Sequence, residues 1–153
     1  MLMKRSSAIV LQGILVLIGI SALAFLLWEP HIEGRNANAT LFQIYFNDPF
    51  LAYAYIASIP FFVALSQAYT MLRHAGERKK FVREAVKALR IIRYCALIII
   101  GFVAVGEIYI LLSTDDRAGG VFMGILITFG AVVIAVAATL LRHRLSKCAD
   151  RTA

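Results

Sequence analysis

The sequence has few charged residues and few cysteines that could form disulfide bonds. Charged residues make up 16% of the 153 residues, and there are only two cysteines. An average soluble domain has about 25% charged residues. This composition excludes an intrinsically disordered chain, a nucleic-acid-binding module of ordinary composition and a disulfide-rich secreted fold. Hydrophobic residues make up 61% of the chain, which indicates a polytopic membrane protein.

The sequence also lacks the short motifs that accompany common enzyme chemistries. It has no Walker loop, no GxGxxG, HExxH or GxSxG sequence, and no pair of carboxylates at catalytic spacing on one helix. Small membrane enzymes usually place several polar residues at one depth, whereas here a single residue is embedded. We therefore expect a protein that is not an enzyme and that uses no cofactor or metal.

Four stretches are long and apolar enough to cross about 30 Å of hydrocarbon, which takes about 20 helical residues. The predicted spans are residues 6–28, 49–72, 94–114 and 118–141. Only the third contains an ionisable carboxylate, Glu107. The predicted fold is all-α: an integral membrane four-helix bundle of two antiparallel helical hairpins, forming a single transmembrane domain.

Basic residues are concentrated on one side of these spans. Fourteen of the sixteen lie before the first span, in 73–93 or in 142–153, and only Arg35 and Arg117 lie in the other connections. Lysine and arginine stay on the cytoplasmic side of short loops. We therefore expect both termini in the cytoplasm of a multi-pass cytoplasmic (inner) membrane protein, with an outer loop at 29–48. A cleaved signal peptide is the alternative, but its apolar run usually has about 7–15 residues, so we favour an uncleaved anchor.

Small residues at helical spacing mark the contact face of the fourth span, because close approach holds helices together in lipid. Gly120 and Gly124 begin this face. They could mark a homodimer, but in a chain with four spans packing within the bundle is the simpler interpretation. In the second span, Pro60 should kink the helix.

Glu107 is the most informative residue. It lies 14 residues beyond Arg93, about 21 Å along a helix, which places it in the outer leaflet. A carboxylate there is costly and usually faces the bundle interior. Hydroxyls of neighbouring spans are its expected partners: Tyr53, Tyr55, Ser58 and Thr128. Two interpretations stay open: a proton- or cation-coupling carboxylate of a transporter, and a structural hydrogen bond or a side chain reaching to the interface.

The outer loop supplies candidate residues for a ligand or a signal: Glu29, His31, Glu33 and Arg35. On an extended backbone, the two glutamates and the histidine between them would project to one side. Carboxylates with an imidazole suit a divalent metal or a pH response, although solvated side chains are the simpler interpretation. The apolar segment 39–46 is too short to cross and is expected on the outer surface or as a shallow re-entrant segment.

The inner connection predicts an amphipathic helix. From Glu77 to Arg93, apolar residues recur at helical spacing, so a helix should run directly into the third span. Its basic face contains Arg78, Lys79, Lys80, Arg83, Lys87 and Arg90. This face could attract anionic phospholipid, at about 1 kcal/mol per basic residue, or could dock a cytosolic partner. Direct nucleic-acid recognition is disfavoured because the segment has no recognition module and no stacking aromatic residues.

Two stretches resemble a known family: WEPHIEGRNANATLFQIYFNDPFLAYAYIASIPFFVAL and VKALRIIRYCALIIIGFVAVGEIYI. They are similar to domain-of-unknown-function family 2975, small prokaryotic proteins with four spans, and the likeness extends over roughly residues 13–138. The family has no assigned activity, so the resemblance implies no catalytic residues. Because relatives are often encoded beside a helix-turn-helix regulator, it implies a membrane sensor that handles a cytosolic transcription factor.

Together these observations predict a non-enzymatic sensor, regulatory or accessory protein. The alternative is a small transporter or channel subunit that uses Glu107.

Overall fold

The structure, a computed structural model, describes residues 5–32, 49–112 and 117–150, and within them it is entirely helical apart from the turn at 74–77. The helices are α1 (Arg5–Ile32), α2 (Pro49–Arg73), α3 (Arg78–Leu112) and α4 (Arg117–Asp150). Each is long and apolar enough to cross a membrane. The predicted all-α membrane fold with four membrane-length helices is therefore confirmed, while the side on which the termini lie stays a prediction.

Each helix packs chiefly on its neighbour in sequence. The contact between α3 and α4 is the most extensive, followed by α2 with α3, and α1 touches mainly α2. Four-residue connections at 74–77 and 113–116 make these neighbours antiparallel. The contacts between α3 and α4 agree with an antiparallel arrangement, since Ile110 lies against Gly120 and Glu107 lies against Gly124. This order places α3 between two partners.

The surface is apolar and the helix contacts are made by small residues. Phe25 and Phe129, for example, are 65% and 69% exposed. Most of the buried residues are alanines: Ala8, Ala75, Ala85, Ala88, Ala96, Ala131 and Ala138. Small residues at helix contacts and large apolar side chains on the outside are the arrangement that a lipid solvent favours.

The helix predicted between Glu77 and the third span is present, because α3 begins at Arg78 and continues without a break to Leu112. A short turn connects it to α2, with the Glu77 amide donating to the His74 carbonyl at 3.0 Å. The Glu77 carbonyl then accepts the first helical hydrogen bond from the Phe81 amide at 2.7 Å, so Glu77 occupies the N-cap position of α3. The amphipathic segment and the apolar span are thus one helix.

Two helices extend further than their apolar stretches. The first continues to Ile32 rather than ending at Trp28, and α4 continues to Asp150, so most of the segment predicted as a tail is helical. α2 is also uninterrupted across Pro60. Hydropathy marks where the hydrocarbon ends, and a helix can continue beyond that point wherever its residues have adequate helix propensity.

Candidate functional site

The candidate site surrounds Glu107, where α3 contacts α4. The Glu107 side chain is half-buried and lies directly on Gly124 of α4, so a Cβ at Gly124 would overlap the carboxylate. One turn away, Ile110 lies on Gly120, where its Cδ1 is 2.9 Å from the position that a Cβ would occupy. The two glycines therefore receive side chains of the same chain. This contact favours packing within the bundle over a homodimer through Gly120 and Gly124.

Tyr53 of α2 contacts the other side of α3, next to Glu107. Its hydroxyl donates a hydrogen bond to the Phe102 carbonyl, and the two rings meet edge to face with centroids 5.5 Å apart. The Tyr53 ring also lies 3.4 Å from the position of a Cβ at Gly106. Consecutive residues, Gly106 and Glu107, thus contact α2 and α4 respectively. The role of Gly106 was not predicted, although a glycine beside the embedded carboxylate was the signal available in the sequence.

The expectation that hydroxyls of neighbouring spans bind Glu107 is wrong for three of the four. Tyr53 donates to Phe102, Tyr55 donates to the Leu26 carbonyl at 3.4 Å, and Ser58 donates to the Tyr55 carbonyl at 2.7 Å. For the fourth, Thr128, the structure gives no hydrogen bond to the carboxylate. A hydroxyl surrounded by lipid and helices is readily satisfied by a nearby backbone carbonyl. Within the described ranges, no side chain donates a hydrogen bond to Glu107.

Most outer-loop candidates lie outside the described residues. This holds for Glu33, Arg35 and the segment 39–46, and for the side chains of Glu29 and His31. The backbone at positions 29 and 31 belongs to α1 and is helical, so the extended backbone that would project these residues to one side is not present there. Positions 29 and 31 are separated by a rotation of about 200° around the helix axis, which places them on opposite faces of the helix. The continuation of α1 therefore removes the alternation on which the metal interpretation depended.

The basic inner face lies on the exposed side of α3. Ala85, Ala88 and Leu89 form the buried opposite side. The exposed basic residues are Lys79, Lys80, Arg83, Lys87 and Arg90; the side chain of Arg78 lies outside the described residues. The five exposed residues form the basic inner face.

Two carboxylates partly neutralise this face. Lys80 Nζ pairs with Glu77 Oε2 at 2.8 Å, and this hydrogen bond and charge lower the pKa of the Glu77 carboxyl. Glu84 Oε1 lies farther from its cations, 3.7 Å from Lys87 Nζ and 3.8 Å from Arg83 Nε. Seven basic residues and one acidic residue occupy 78–93, so a large positive excess remains.

The described residues contain no group of three or more histidine, cysteine, aspartate or glutamate side chains that could hold a metal ion. Cys95 is a buried free thiol on α3. The arrangement around Glu107 is therefore one carboxylate at a helix contact rather than a cluster of ligands. Such a group can hold a proton or a single cation.

Four membrane-length helices with an apolar surface define a multi-pass α-helical membrane protein. The family model described as "Protein of unknown function (DUF2975)" matches residues 36–150, and the chain belongs to this family. It is 37% identical over 151 residues to the "Uncharacterized membrane protein YoaS" of Bacillus subtilis (strain 168), covering 97% of this chain and 94% of that protein. No solved structure matches the chain.

Proposed function

We propose that this chain is a non-enzymatic sensor or regulatory protein of the cytoplasmic membrane. The outer connection at 33–48 receives a signal, and the basic inner face of α3 meets a cytosolic partner. One observation carries the proposal: α3 is a single helix from Arg78 to Leu112, and Tyr53, in the first turns of α2 after the outer connection, contacts it at Phe102 and Gly106.

The length of α3 supports this role. Its 35 residues correspond to about 52 Å, well beyond the ~30 Å of hydrocarbon. Near one end, Gly106 and Glu107 contact α2 and α4, and toward the other end the helix presents exposed cations. Because a continuous helix is stiff, a displacement at its outer end also moves the inner face.

The proposed partner is a small helix-turn-helix regulator, as the family resemblance implies. The part of the basic inner face farthest from the apolar span, at Lys79 and Arg83, can bind an acidic surface of such a protein, and complementary charge increases the rate and specificity of association. The same charge near lipid needs no nucleic acid to account for it, so we propose no direct contact between this chain and DNA.

The test is co-purification of the full chain with a co-expressed helix-turn-helix regulator that is encoded beside it. A reporter for that regulator is measured in the same cells. The variant Lys79→Glu/Arg83→Glu reverses charge on the basic inner face and should reduce co-purified regulator at least tenfold. The matched control, Arg144→Glu/Lys147→Glu, reverses the same number of charges near the end of α4 and should retain the regulator.

Exchange of the outer connection should change reporter output while the regulator still binds. If output and binding were both unchanged by the exchange, the outer connection would have no part in signalling and the sensor proposal would fail. Equal loss of binding in the two charge-reversal variants would indicate attraction by net charge alone.

A second candidate function, transport of a proton or cation, has one observation in its favour. Glu107 is a carboxylate within a membrane-length helix and lies against α4 without a described donor. Flux into proteoliposomes that the wild-type chain supports and Glu107→Gln abolishes would favour this function over sensing. Equal flux in the two proteins would remove Glu107 from the transport hypothesis.

A further inference from the structure

One face of α3 is exposed along nearly its whole length and changes chemistry once. Starting from the basic end, its exposed residues are Lys87, Arg90, Tyr94, Leu97, Gly101, Val105 and Ile108. Steps of three, four or seven residues keep all of them within about 80° of one another around the helix. The face is cationic first, then aromatic at Tyr94, then apolar.

This order matches the structure of a lipid molecule. From Arg90 to Gly101 is 11 residues, about 16 Å along the helix, which is close to the ~15 Å of one hydrocarbon leaflet. Tyr94, 57% exposed, lies at the junction where tyrosine is enriched in membrane proteins. An anionic headgroup at Arg90 would therefore have its acyl chain beside Leu97 and Gly101.

The cations on this face are available to a ligand. Among the residues that the structure describes, Arg90 makes no ion pair, and the nearest carboxylate to Lys87 is Glu84, at 3.7 Å and shared with Arg83. Lys80 differs, because Glu77 already binds it at 2.8 Å. The unpaired positive charge is thus greatest next to the apolar part of the face.

The apolar part contains an open notch. A Cβ added at Gly101 would meet no atom within 4 Å, whereas one at Gly124 or Gly106 would contact a neighbouring helix. Leu97 and Val105 flank this notch, and they are 46% and 59% exposed. An acyl chain can therefore approach the helix backbone at Gly101.

We propose that this face is a binding site for an anionic glycerophospholipid. Lys87 and Arg90 hold the phosphate beside the Tyr94 hydroxyl, and the acyl chain lies along Leu97, Gly101 and Val105. An acidic protein segment would satisfy the cations and leave the apolar half of the face unoccupied, so the continuous face fits a lipid better. The site does not depend on the proposed signalling role.

The test is native mass spectrometry of the full chain titrated with phosphatidylglycerol or with phosphatidylcholine of the same acyl chains. We expect the wild-type chain to retain phosphatidylglycerol preferentially. Loss of a cation near an anionic membrane surface weakens attraction about fivefold, so Arg90→Gln should lose about that factor and Lys87→Gln/Arg90→Gln should lose more. Gly101→Leu, which fills the notch without changing charge, should weaken retention of both lipids at this site.

Arg144→Gln removes the same charge as Arg90→Gln from α4 and should leave the preference intact. Equal weakening by these two variants, or equal retention of the two lipids by the wild-type chain, would overturn the proposal. Displacement of phosphatidylglycerol by polyglutamate in the wild-type chain but not in Lys87→Gln/Arg90→Gln would instead assign the face to an acidic protein partner. Each variant's thermal unfolding is measured alongside, and Lys87→Gln alone replaces any variant that fails to fold.

Discussion

Glu107 combines two roles that are usually separate, a polar group within the membrane and a packing element between helices. Its side chain occupies the space that a larger residue at position 124 would need. Tyr53 holds the preceding turn through the Phe102 carbonyl, so the residue before Glu107 is fixed against α2 as well. A change at this point therefore alters packing on both sides of α3.

The contact between Glu107 and Gly124 predicts the effect of a single methyl group. Gly124→Ala should destabilise the protein by about 1–3 kcal/mol, because a Cβ there overlaps the carboxylate and forces α3 and α4 to shift. Thermal unfolding in detergent measures the change. The control is Gly130→Ala on the same helix, where a Cβ meets nothing within 4 Å and the gain in helix propensity is the same.

Removing the opposing side chain should restore stability. In the double variant Glu107→Ala/Gly124→Ala, the methyl group enters vacated space, so the two substitutions should couple favourably in a double-mutant cycle. Additive effects, or equal destabilisation by Gly124→Ala and Gly130→Ala, would show that Glu107 and Gly124 do not pack together in the folded protein.

At the residue level, the sequence could predict that Glu107 turns inward, but not which atoms it would meet. Helical periodicity identifies residues that share a face of one helix and says nothing about the axial register between two helices. Tyr53, Tyr55 and Ser58 were at a suitable depth, yet each donates to a backbone carbonyl. The glycines were informative because a close helix contact requires a small residue.

At the scale of helices, the apolar stretches could be predicted because the thickness of the hydrocarbon imposes their length. The ends of the helices were less predictable. The first span was predicted to end at residue 28 and to be followed by a loop, but α1 continues to Ile32. Near lipid the backbone must satisfy its own polar groups, and that requirement favours further helical turns over an exposed loop. The start of α3 was predictable, since apolar residues keep helical spacing from Phe81 onward.

The turn between α2 and α3 predicts a local response to acid. Lys80 lowers the pKa of Glu77 in the folded protein below the unfolded value of about 4.3. This pair therefore stabilises the turn above pH ~4.3, and the contribution is lost as the pH falls through the lower folded pKa. We expect NMR titration of the Glu77 carboxyl to give a higher pKa in Lys80→Gln than in the wild-type chain.

Lys79→Gln removes the same charge from the adjacent position, which makes no ion pair with another described residue, and should change the pKa of Glu77 much less. A pKa that is identical in Lys80→Gln and the wild-type chain would contradict the pairing of Glu77 with Lys80. An equal increase of the Glu77 pKa in Lys80→Gln and Lys79→Gln would also contradict it.

For the whole molecule, the order of packing and the distribution of charge lead to the same topology. Since α3 and α4 are antiparallel, the start of α3 and the end of α4 lie at one end of the pair, and both carry basic residues. The connection at 113–116 follows the opposite end of α3. If α3 crosses the bilayer, Lys79 and Asp115 must be on opposite sides.

Cysteine labelling tests this topology directly. In a chain with Cys95→Ala and Cys148→Ser, we expect Asp115→Cys to react with a membrane-impermeant maleimide in intact cells. Lys79→Cys and Arg144→Cys should react only after permeabilisation, because short segments rich in lysine and arginine stay on the cytoplasmic side. Labelling of Lys79→Cys and Asp115→Cys from one side would mean that α3 does not cross. Labelling of Lys79→Cys and Arg144→Cys in intact cells, with Asp115→Cys protected, would mean that α3 crosses with its basic end outside, and the regulator proposed to bind that end could not reach it.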